Sequence, residues 1–383
     1  MVMTSNEIES WNDIKGLKDD LLRGIFGIGF ENPSPIQKKG ILPFLTKKDL
    51  IAQAQSGTGK TGCFTISTLQ LIDDKLDKTQ AIILLPTREL ASQVFNIFET
   101  LAGFMNVNIK LLIGGTNLKD DLLYLNKKQP HIIIGCPGRI LDLMYKNYIY
   151  SDNINIVVID EADEMFSYGF KDQIYKLLDK LSKDIQIALF SATIPDELHK
   201  LIDSFMKEPT KILVKADMLT LEGIAQYYIA LENDYQKYET LKDLYESISI
   251  SQCIIYCNSI KRIDILYELM IKDEFPVCCI HSNIPKYQRE ESFKQFRNGK
   301  YRVLISSNVT ARGIDIQQVN IVINYDVPKC IHSYLHRIGR SGRWGRKGNA
   351  INFVTKFDIK NMKTIEQYYQ TEIKELPLDF INS

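Results

Sequence analysis

Short, almost continuously apolar runs recur along this chain, separated by longer amphipathic stretches. The first half contains DLIAQA, AIILLP, IKLLIG, HIIIG, INIVVID and IQIALF, and the second half contains CIIYC, PVCCI, RVLISS, NIVINY and AINFV. A strand that is apolar on both faces is typical of a parallel sheet whose crossover helices cover both sides. The sequence therefore predicts an α/β fold, in which parallel sheets are flanked by helices.

The length of the chain predicts two domains. Its 383 residues exceed the roughly 250–300 residues at which single hydrophobic cores stop growing. Between the two series of apolar runs lies ADMLTLEG, residues 216–223, a turn-forming stretch without a clear hydrophobic period. We expect one domain over residues 1–215, a linker over 216–223 and a second domain over 224–383, each a parallel sheet with helices around it.

Composition and cysteine usage narrow the class of protein. The formal net charge is zero, so no global field indicates a polyanionic partner, although a local basic patch is compatible with it. Cys253 and Cys257 lack a second pair with which to complete a zinc site, and we interpret them as core thiols. We see neither a signal-peptide pattern nor an apolar run near the roughly 20 residues that span a bilayer, and we expect a reducing intracellular compartment.

A glycine-rich loop follows the first apolar run. The loop AQSGTGKT leads into a predicted helix, and its first residue, Ala54, replaces the glycine that opens the general pattern. Gly57 and Gly59 would let the backbone bend and point N–H groups at phosphate oxygens, while the helix N-terminus adds its dipole. Lys60 would bring a cation to the outer phosphates and Thr61 a hydroxyl to Mg²⁺. The alternative interpretation is a glycine-rich turn without a ligand.

Another apolar run, in NIVVIDEADEM, leads directly into four acids. They are Asp160, Glu161, Asp163 and Glu164. Ligands of parallel sheets bind at the carboxyl ends of strands, which is where these acids emerge. Asp160 is placed to hold the Mg²⁺ of a phosphate loop, and Glu161 to reach a water in line with the γ-phosphate. The alternative is a solvated acidic loop, but acids and glycine-rich loop together predict hydrolysis of a nucleoside triphosphate.

A segment dense in arginine and glycine lies in the other half of the chain. In HRIGRSGRWGRKG, arginines recur at every third residue from Arg337 to Arg346. One interpretation is a basic solvated loop or a nucleic-acid patch. The other is an arginine that reaches a γ-phosphate, a contact worth about 10³–10⁵ in rate. Because the phosphate loop is in the first domain, such a contact would require the two domains to close.

Taken in order, these motifs resemble those of the DEAD-box RNA helicases, a superfamily 2 group with two RecA-like domains. The resemblance runs along nearly the whole chain through GFENPSPIQ, AQSGTGKT, PTREL, Gly114–Gly115, CPGR, DEAD, SAT, CIIYCNS, Arg289, VLISSNVTARGID and HRIGRSGR. Within the family, GFKDQIY, LTLEGI, GIDIQQV, INYDVP and GRKGNAINFV resemble the translation-initiation subgroup, and an exon-junction subgroup shares much of this pattern. The resemblance implies an RNA-dependent ATPase that uses ATP and Mg²⁺.

The resemblance also implies a set of nucleotide-binding residues. They are Trp11, Gln37, Ser56, Gly57, Thr58, Gly59, Lys60, Thr61 and Asp315. Gln37 would read the adenine edge and Asp315 would bind the ribose. Trp11 would stack on the base, although it stands one residue farther upstream than the family pattern, and the alternative for Trp11 is a local packing anchor. Thr61 and Asp160 would hold Mg²⁺, partly through water. The residues implied in catalysis are Lys60, Asp160, Glu161, Arg340 and Arg343.

Contacts to RNA are implied in both halves. The residues are Thr87, Arg88, Gly115, Arg139, Arg289 and Ser307. Hydroxyls, arginines and exposed glycine N–H groups bind the sugar-phosphate backbone without reading sequence. For Arg139 or Arg289 taken alone, the alternative is a surface ion pair. Ser191 and Thr193 would link nucleotide state to domain closure, and their alternative is a plain Ser/Thr turn after a strand.

Three positions depart from the family pattern. Cys136 replaces the threonine of TPGR, Asn308 replaces the aspartate after Ser307, and Lys286 stands where a glutamine is common. None of them is one of the residues implied in phosphate chemistry. We therefore expect them to change RNA affinity or turnover speed rather than the class of reaction.

The leading functional hypothesis is an RNA-stimulated ATPase that locally separates short RNA duplexes and prepares mRNA for ribosome binding. An alternative of a different class is an ATP-locked RNA clamp of the exon-junction type with slow turnover, and a further alternative is a DNA helicase. The implied partners are single-stranded and short duplex RNA and a scaffold protein of the initiation-factor 4G type, without a membrane. We expect a cytoplasmic monomer, or a nuclear protein if the clamp alternative holds.

Overall fold

The structure of the chain is a computed structural model. It describes residues 8–54, 58–167, 169–213, 224–247, 252–307, 319–341 and 348–377. The chain divides into two compact units, residues 1–215 and 216–383, and each is described by itself. The proposed linker, residues 216–223, lies outside the described residues, so its role stays a prediction. Among the helices described, none has the length and apolar character that crossing a bilayer requires.

The first unit is built on a seven-stranded sheet in the order β3-β4-β2-β5-β6-β1-β7, and every pairing is parallel. Its strands are β1 (Leu50–Gln53), β2 (Ala81–Leu84), β3 (Ile109–Leu112), β4 (Ile132–Gly135), β5 (Ile156–Ile159), β6 (Gln186–Ser191) and β7 (Thr210–Leu213). A 3₁₀ helix (Trp11–Asp13) precedes α1 (Asp19–Gly27), α2 (Pro35–Leu45), α3 (Lys60–Leu71), α4 (Arg88–Leu101), α5 (Leu118–Lys127), α6 (Pro137–Tyr145), α7 (Ala162–Ser167), α8 (Lys171–Asp179) and α9 (Asp196–Phe205).

The second unit has the same plan. Its seven strands lie in the order β10-β11-β9-β12-β13-β8-β14, again all parallel. The strands are β8 (Ile224–Ala230), β9 (Cys253–Tyr256), β10 (Val277–Ile280), β11 (Val303–Ser306), β12 (Ile321–Asn324), β13 (Gly348–Val354) and β14 (Lys374–Glu375). The helices are α10 (Gln236–Ser247), α11 (Ile260–Lys272), α12 (Lys286–Arg297), α13 (Ile331–Ile338) and α14 (Ile359–Tyr369).

The predicted α/β class is confirmed, and each of the eleven apolar runs lies in a strand. In the first unit, helices pack on both faces of the sheet, because alternate side chains of the strands enter two separate apolar clusters. Three further strands were not predicted from the apolar runs. β7 and β14 are edge strands, and β8 carries a half-buried mixture of polar and apolar residues that no continuous apolar run marks.

The two cysteines that the sequence suggested as core thiols lie inside the second unit. Cys253 and Cys257 are both buried, and neither forms a disulfide. Burial raises the pKa of the Cys253 thiol to about 12, which keeps it protonated at neutral pH. These side chains therefore behave as small apolar residues in the packing.

A buried histidine directly before β4 predicts a pH dependence of stability. His131 Nδ1 accepts the backbone N–H of Asn108 at 2.8 Å, which requires a ring nitrogen without a proton. Burial, against the pull of nearby Asp77, lowers the pKa of His131 below its ordinary value of 6.5. As pH falls below 6.5, the histidine of the unfolded chain binds a proton while that of the folded chain stays neutral. The free energy of unfolding therefore decreases.

We expect a His131→Asn variant to lose part of this pH dependence, because the Asn Oδ1 can accept the same N–H and does not titrate. The measurement is the urea midpoint of unfolding at pH 7 and at pH 5. His199→Asn at an exposed position is the control and should fall with pH as the wild type does. An identical decrease in all three proteins would contradict this assignment.

Candidate active site

The glycine-rich loop leads into α3 through a backbone turn that only glycine suits. Gly59 has φ +100°, and a Cβ at this position would lie 2.4 Å from Ser34 Oγ. Lys60 is the first residue of α3 and is buried. Thr61 follows it in the first turn, while Ser56 and Gly57 lie outside the described residues. The N–H groups of this helix N-terminus are the kind of donor that binds phosphate.

Two acids that directly follow β5 lie close to this lysine, although β6 separates β5 from β1 in the sheet. Lys60 Nζ lies 3.4 Å from Glu161 Oε1, and Asp160 directly follows β5. Burial, and secondarily the neighbouring Glu161, raises the pKa of Asp160 to about 7, although Lys60 opposes the shift. A buried carboxylate that gains a proton so readily is one that a nearby cation would stabilise. The Asp160 carboxylate and the Thr61 hydroxyl are hard oxygen groups of the kind that Mg²⁺ prefers.

The backbone of Glu161 adopts an uncommon conformation. Its φ is +49°, the left-handed region, which costs a residue with a side chain about 1–2 kcal/mol. Hydrogen bonds hold it there: its N–H donates to Asp160 Oδ1 at 2.9 Å, and its carbonyl accepts from Glu164 and Met165 at the start of α7. Strain maintained in this way is typical of functional positions.

A hydrogen-bonded cluster joins the end of β6 to the acidic segment. Thr193 Oγ1 donates to Asp163 Oδ2 at 2.7 Å, Ser191 Oγ donates to the Thr193 carbonyl at 2.6 Å, and the Asp163 N–H donates to Ser191 Oγ at 3.2 Å. The sequence singled out Ser191 and Thr193 for coupling, whereas it named Asp163 only as one of four acids after a strand and gave it no role. The adjacency of β5 and β6 in the sheet brings them together, and that adjacency was not readable from the motifs alone.

Gln37 lies beside the glycine-rich loop. Its Oε1 accepts the Ser34 N–H at 2.7 Å, and its Nε2 donates to the Gly59 carbonyl at 3.1 Å. The side chain is buried and completes a capping box with Ser34 at the start of α2. It therefore ties α2 to the phosphate loop, and its reading of a base stays a prediction.

Trp11 is placed differently from its predicted role. Its ring is only 1% exposed, and its Nε1 donates to the Phe30 carbonyl at 2.8 Å. The tryptophan therefore acts as a packing anchor, and it offers no open ring face on which a base could stack. Phe30 is an aromatic residue that lies beside the first turn of α3, since a Cβ on Gly62 would approach its Cε2 to 3.0 Å. Its position inside GFENPSPIQ was the signal for it in the sequence.

The residues predicted to contact RNA in the first unit follow three adjacent strands. Thr87 caps α4 after β2, and its Oγ1 accepts the Leu90 N–H at 3.2 Å. The guanidinium of Arg88 lies against Gly115, where a Cβ would come within 2.5 Å of Nη1. Gly115 also has φ +80°, so glycine is required for both conformation and space. The structure thus brings Arg88 and Gly115 together.

Arg139 is held by an acid that the sequence did not single out. Its Nη1 donates to Asp121 Oδ2 at 2.6 Å and its Nη2 to the Thr116 carbonyl at 3.2 Å. Lys110 Nζ also lies 3.2 Å from Asp121. The ion-pair alternative is therefore realised for Arg139, and an RNA contact would have to share its guanidinium with Asp121.

In the second unit, the candidate residues lie near the carboxyl ends of strands. Ser307 directly follows β11, and Arg289 is buried on α12, with Nη1 3.4 Å from the Ser282 carbonyl. The arginines that recur in HRIGRSGR differ in their place on the backbone. Arg337 lies within α13 and Arg340 follows it; both side chains are buried, and the Arg340 N–H donates to the Arg337 carbonyl at 3.2 Å. Asp315, Arg343 and the substituted Asn308 lie outside the described residues.

Of the other two departures from the family pattern, Cys136 occupies the N-cap of α6. It makes no capping hydrogen bond there, so the contribution that a threonine gives at an N-cap, about 1 kcal/mol, is absent. Lys286 is the first residue of α12.

Two family models match the chain. A DEAD/DEAH box helicase model matches residues 34–201, and a helicase conserved C-terminal domain model matches residues 236–345. Eukaryotic initiation factor 4A from Caenorhabditis elegans is 48% identical over 97% of this chain and 92% of the relative. ATP-dependent RNA helicase eIF4A from Kluyveromyces lactis is 49% identical over 97% of this chain and 93% of the relative.

Solved structures give the same grouping. Dbp5 from S. cerevisiae, bound to RNA and ADP BeF3, aligns with a TM-score of 0.90 and 33% identity over 98% of this chain and 97% of that one. Mss116p, bound to ssRNA and AMP-PNP, aligns with a TM-score of 0.86 and 28% identity over 99% of this chain and 82% of that one.

Proposed function

The chain belongs to the DEAD/DEAH box helicase family, and we propose that it is an ATP-dependent RNA helicase of the translation-initiation type. The observation that carries the proposal is the meeting of Lys60, Asp160 and Glu161 at one edge of a parallel sheet. The two relatives described above are named initiation factor 4A, and this chain matches almost their whole length. This match favours translation initiation over the exon-junction clamp. ATP would be hydrolysed while RNA is held, and short duplexes would be separated locally.

The nucleotide would bind along the carboxyl edge of the first sheet. Lys60 and the N-terminus of α3 would hold the outer phosphates, and Glu161 would orient the attacking water. Mg²⁺, held by Asp160 and Thr61 partly through water, would neutralise charge that develops on the phosphates. Gln37 would read the adenine edge, and we assign the stacking contact to Phe30 in place of Trp11.

The second unit would supply the remaining phosphate contacts. Arg340 and Arg343 would act as arginine fingers, and Asp315 would bind the ribose. Because these residues belong to the other unit, turnover would require the two units to close on ATP. The Asp163–Ser191–Thr193 cluster beside the catalytic acids is suited to sense that closure, since it joins two strand ends by side-chain hydrogen bonds.

RNA would lie against backbone-binding groups. The proposed residues are Thr87, Arg88, Gly115, Arg139, Arg289 and Ser307. The related structures of Dbp5 and Mss116p contain bound RNA, which supports RNA as the partner. We also propose that the protein is a cytoplasmic monomer that binds a scaffold of the initiation-factor 4G type. Analytical ultracentrifugation with and without a fragment of such a scaffold tests the monomeric state and the binding.

The experiment that tests the function is steady-state ATP hydrolysis titrated with single-stranded RNA. We expect little turnover without RNA, a saturable increase with it, and loss of turnover when EDTA removes Mg²⁺. Stimulation should be similar for unrelated unstructured sequences and should weaken with salt, because the proposed contacts are to phosphates.

Three results would contradict parts of this proposal. Equal turnover with and without RNA would exclude an RNA-stimulated ATPase. Stimulation by DNA as strong as that by RNA would favour the DNA-helicase alternative. Turnover of GTP as efficient as that of ATP would exclude base reading by Gln37, since an amide matched to adenine leaves polar groups of guanine unsatisfied.

A further inference from the structure

A chain of buried polar side chains runs through the second unit beneath α13. Arg337 Nη1 donates to Asn324 Oδ1 at 3.2 Å, and Asn324 Nδ2 donates to Asn352 Oδ1 at 2.8 Å. Asn352 Nδ2 then donates to the Tyr334 hydroxyl at 3.3 Å, and that hydroxyl donates to Gln226 Oε1 at 2.9 Å. These five side chains are all buried, and they connect α13 with β12, β13 and β8.

The hydrogen bonds of this chain all point away from the cation. At one end the Arg337 guanidinium can only donate, so the oxygen of Asn324 must face it. Farther along, Asn352 Nδ2 also donates to the Tyr227 carbonyl at 2.8 Å, which can only accept, and this contact orients the second amide. The fixed end at Arg337 and the fixed amide of Asn352 demand the same direction, so the hydrogen bonds between them have one satisfied arrangement. Burying these groups without such partners would cost free energy at every link.

Arg337 connects this polar chain to Arg340, the predicted arginine finger. Its guanidinium also donates to the Asp326 carbonyl at 2.7 Å and to Asn258 Oδ1 at 2.8 Å, so one side chain is tied to groups beyond β12 and β9. Its own carbonyl accepts the N–H of Arg340 at 3.2 Å. The turn that carries Arg340 therefore begins at a residue whose side chain is fixed by the polar chain.

We propose that Tyr334, Asn352 and Asn324 are positioning residues for ATP hydrolysis, because their hydrogen-bonded chain fixes Arg337 and thereby the place from which Arg340 reaches the γ-phosphate. This inference rests on the proposed function of Arg340. Tyr334, Asn352 and Asn324 act through Arg337 and not by contact with the nucleotide. An arginine that is displaced by a small distance loses transition-state contacts before it loses ground-state binding.

The test is Tyr334→Phe, which removes the hydroxyl between Asn352 and Gln226 and keeps the ring. We expect kcat of RNA-stimulated ATP hydrolysis to fall roughly fivefold, the factor that corresponds to one hydrogen bond, with KM for ATP unchanged. The matched control is Tyr245→Phe in the same unit, whose buried hydroxyl has no hydrogen-bond partner within the described part of the chain. The control should keep the wild-type kcat.

Urea unfolding of each variant separates positioning from simple loss of structure. A lower kcat in Tyr334→Phe that persists after correction for the folded fraction supports the inference. A kcat equal to that of Tyr245→Phe, or one that the correction restores to the wild-type value, overturns it. If the wild type itself shows no RNA-stimulated hydrolysis, the proposed function has failed, which is a different result from equal rates in wild type and variant.

Discussion

A Glu161→Gln variant is expected to bind ATP and RNA but to hydrolyse ATP at least about 100-fold more slowly than the wild-type chain. The amide keeps the shape of the side chain and its place beside Lys60, while it loses the capacity to take a proton from water. Because the triphosphate persists, the closed complex should also hold RNA longer in ATP than the wild type does. The measurements are single-turnover hydrolysis and the RNA dissociation rate in ATP.

The control for this change is Glu197→Gln, at an exposed position in the first turn of α9. It removes one carboxylate from the same unit and should leave both rates unaltered. If Glu161→Gln turns over ATP at the wild-type rate, Glu161 does not orient the attacking water, and the acid that does so has to be sought elsewhere in the cluster.

An Arg340→Ala variant is expected to lose ATP hydrolysis by a factor of about 10³–10⁵, the range found when an arginine finger is removed. Unlike Glu161→Gln, it should also lose the ATP-dependent grip on RNA, because the missing contact favours closure of the two units. Arg297→Ala, at an exposed position on α12, removes the same charge and serves as the control.

The two variants therefore share an inactive ATPase and differ in RNA residence time. Measured side by side in ATP, Glu161→Gln should release RNA slowly and Arg340→Ala rapidly. Equally fast release from both would contradict the closed-clamp mechanism while leaving the family assignment intact.

The strands and the nucleotide loop were predictable because each depends on local sequence. Apolar runs such as INIVVID commit a segment to a buried strand, and the conformation of Gly59 can be adopted by few other residues. The parts that were not predictable depend on contacts between distant segments. Asp163 meets Thr193 across adjacent strands, and Asp121 meets Arg139 from another helix, and neither pairing leaves a mark in the motifs.

The motifs identified Trp11 and Arg337 but did not predict where their side chains lie. A tryptophan upstream of GFENPSPIQ predicts an aromatic contact, but its spacing does not say whether the ring faces the ligand or the core. The arginines at every third residue look equivalent in sequence, yet Arg337 lies within α13 and Arg340 follows its end, and both are buried. The Arg337 guanidinium donates to the amides of Asn324 and Asn258, which belong to distant segments that the motif does not identify.

The order of strands in the first sheet has a thermodynamic consequence. The phosphate loop follows β1, whereas the backbone-binding residues follow β2, β3 and β4, and β6 and β5 lie between. From β1 to β2, the nearest of these strands, there are three strand spacings, about 14 Å at roughly 4.8 Å each, so we expect the two ligands to share no residue. Within this unit alone, the affinity for nucleic acid should be nearly independent of nucleotide, with a coupling free energy close to zero. Any cooperativity between the ligands would then arise from the second unit, and it would be reciprocal: RNA would tighten ATP by the factor by which ATP tightens RNA.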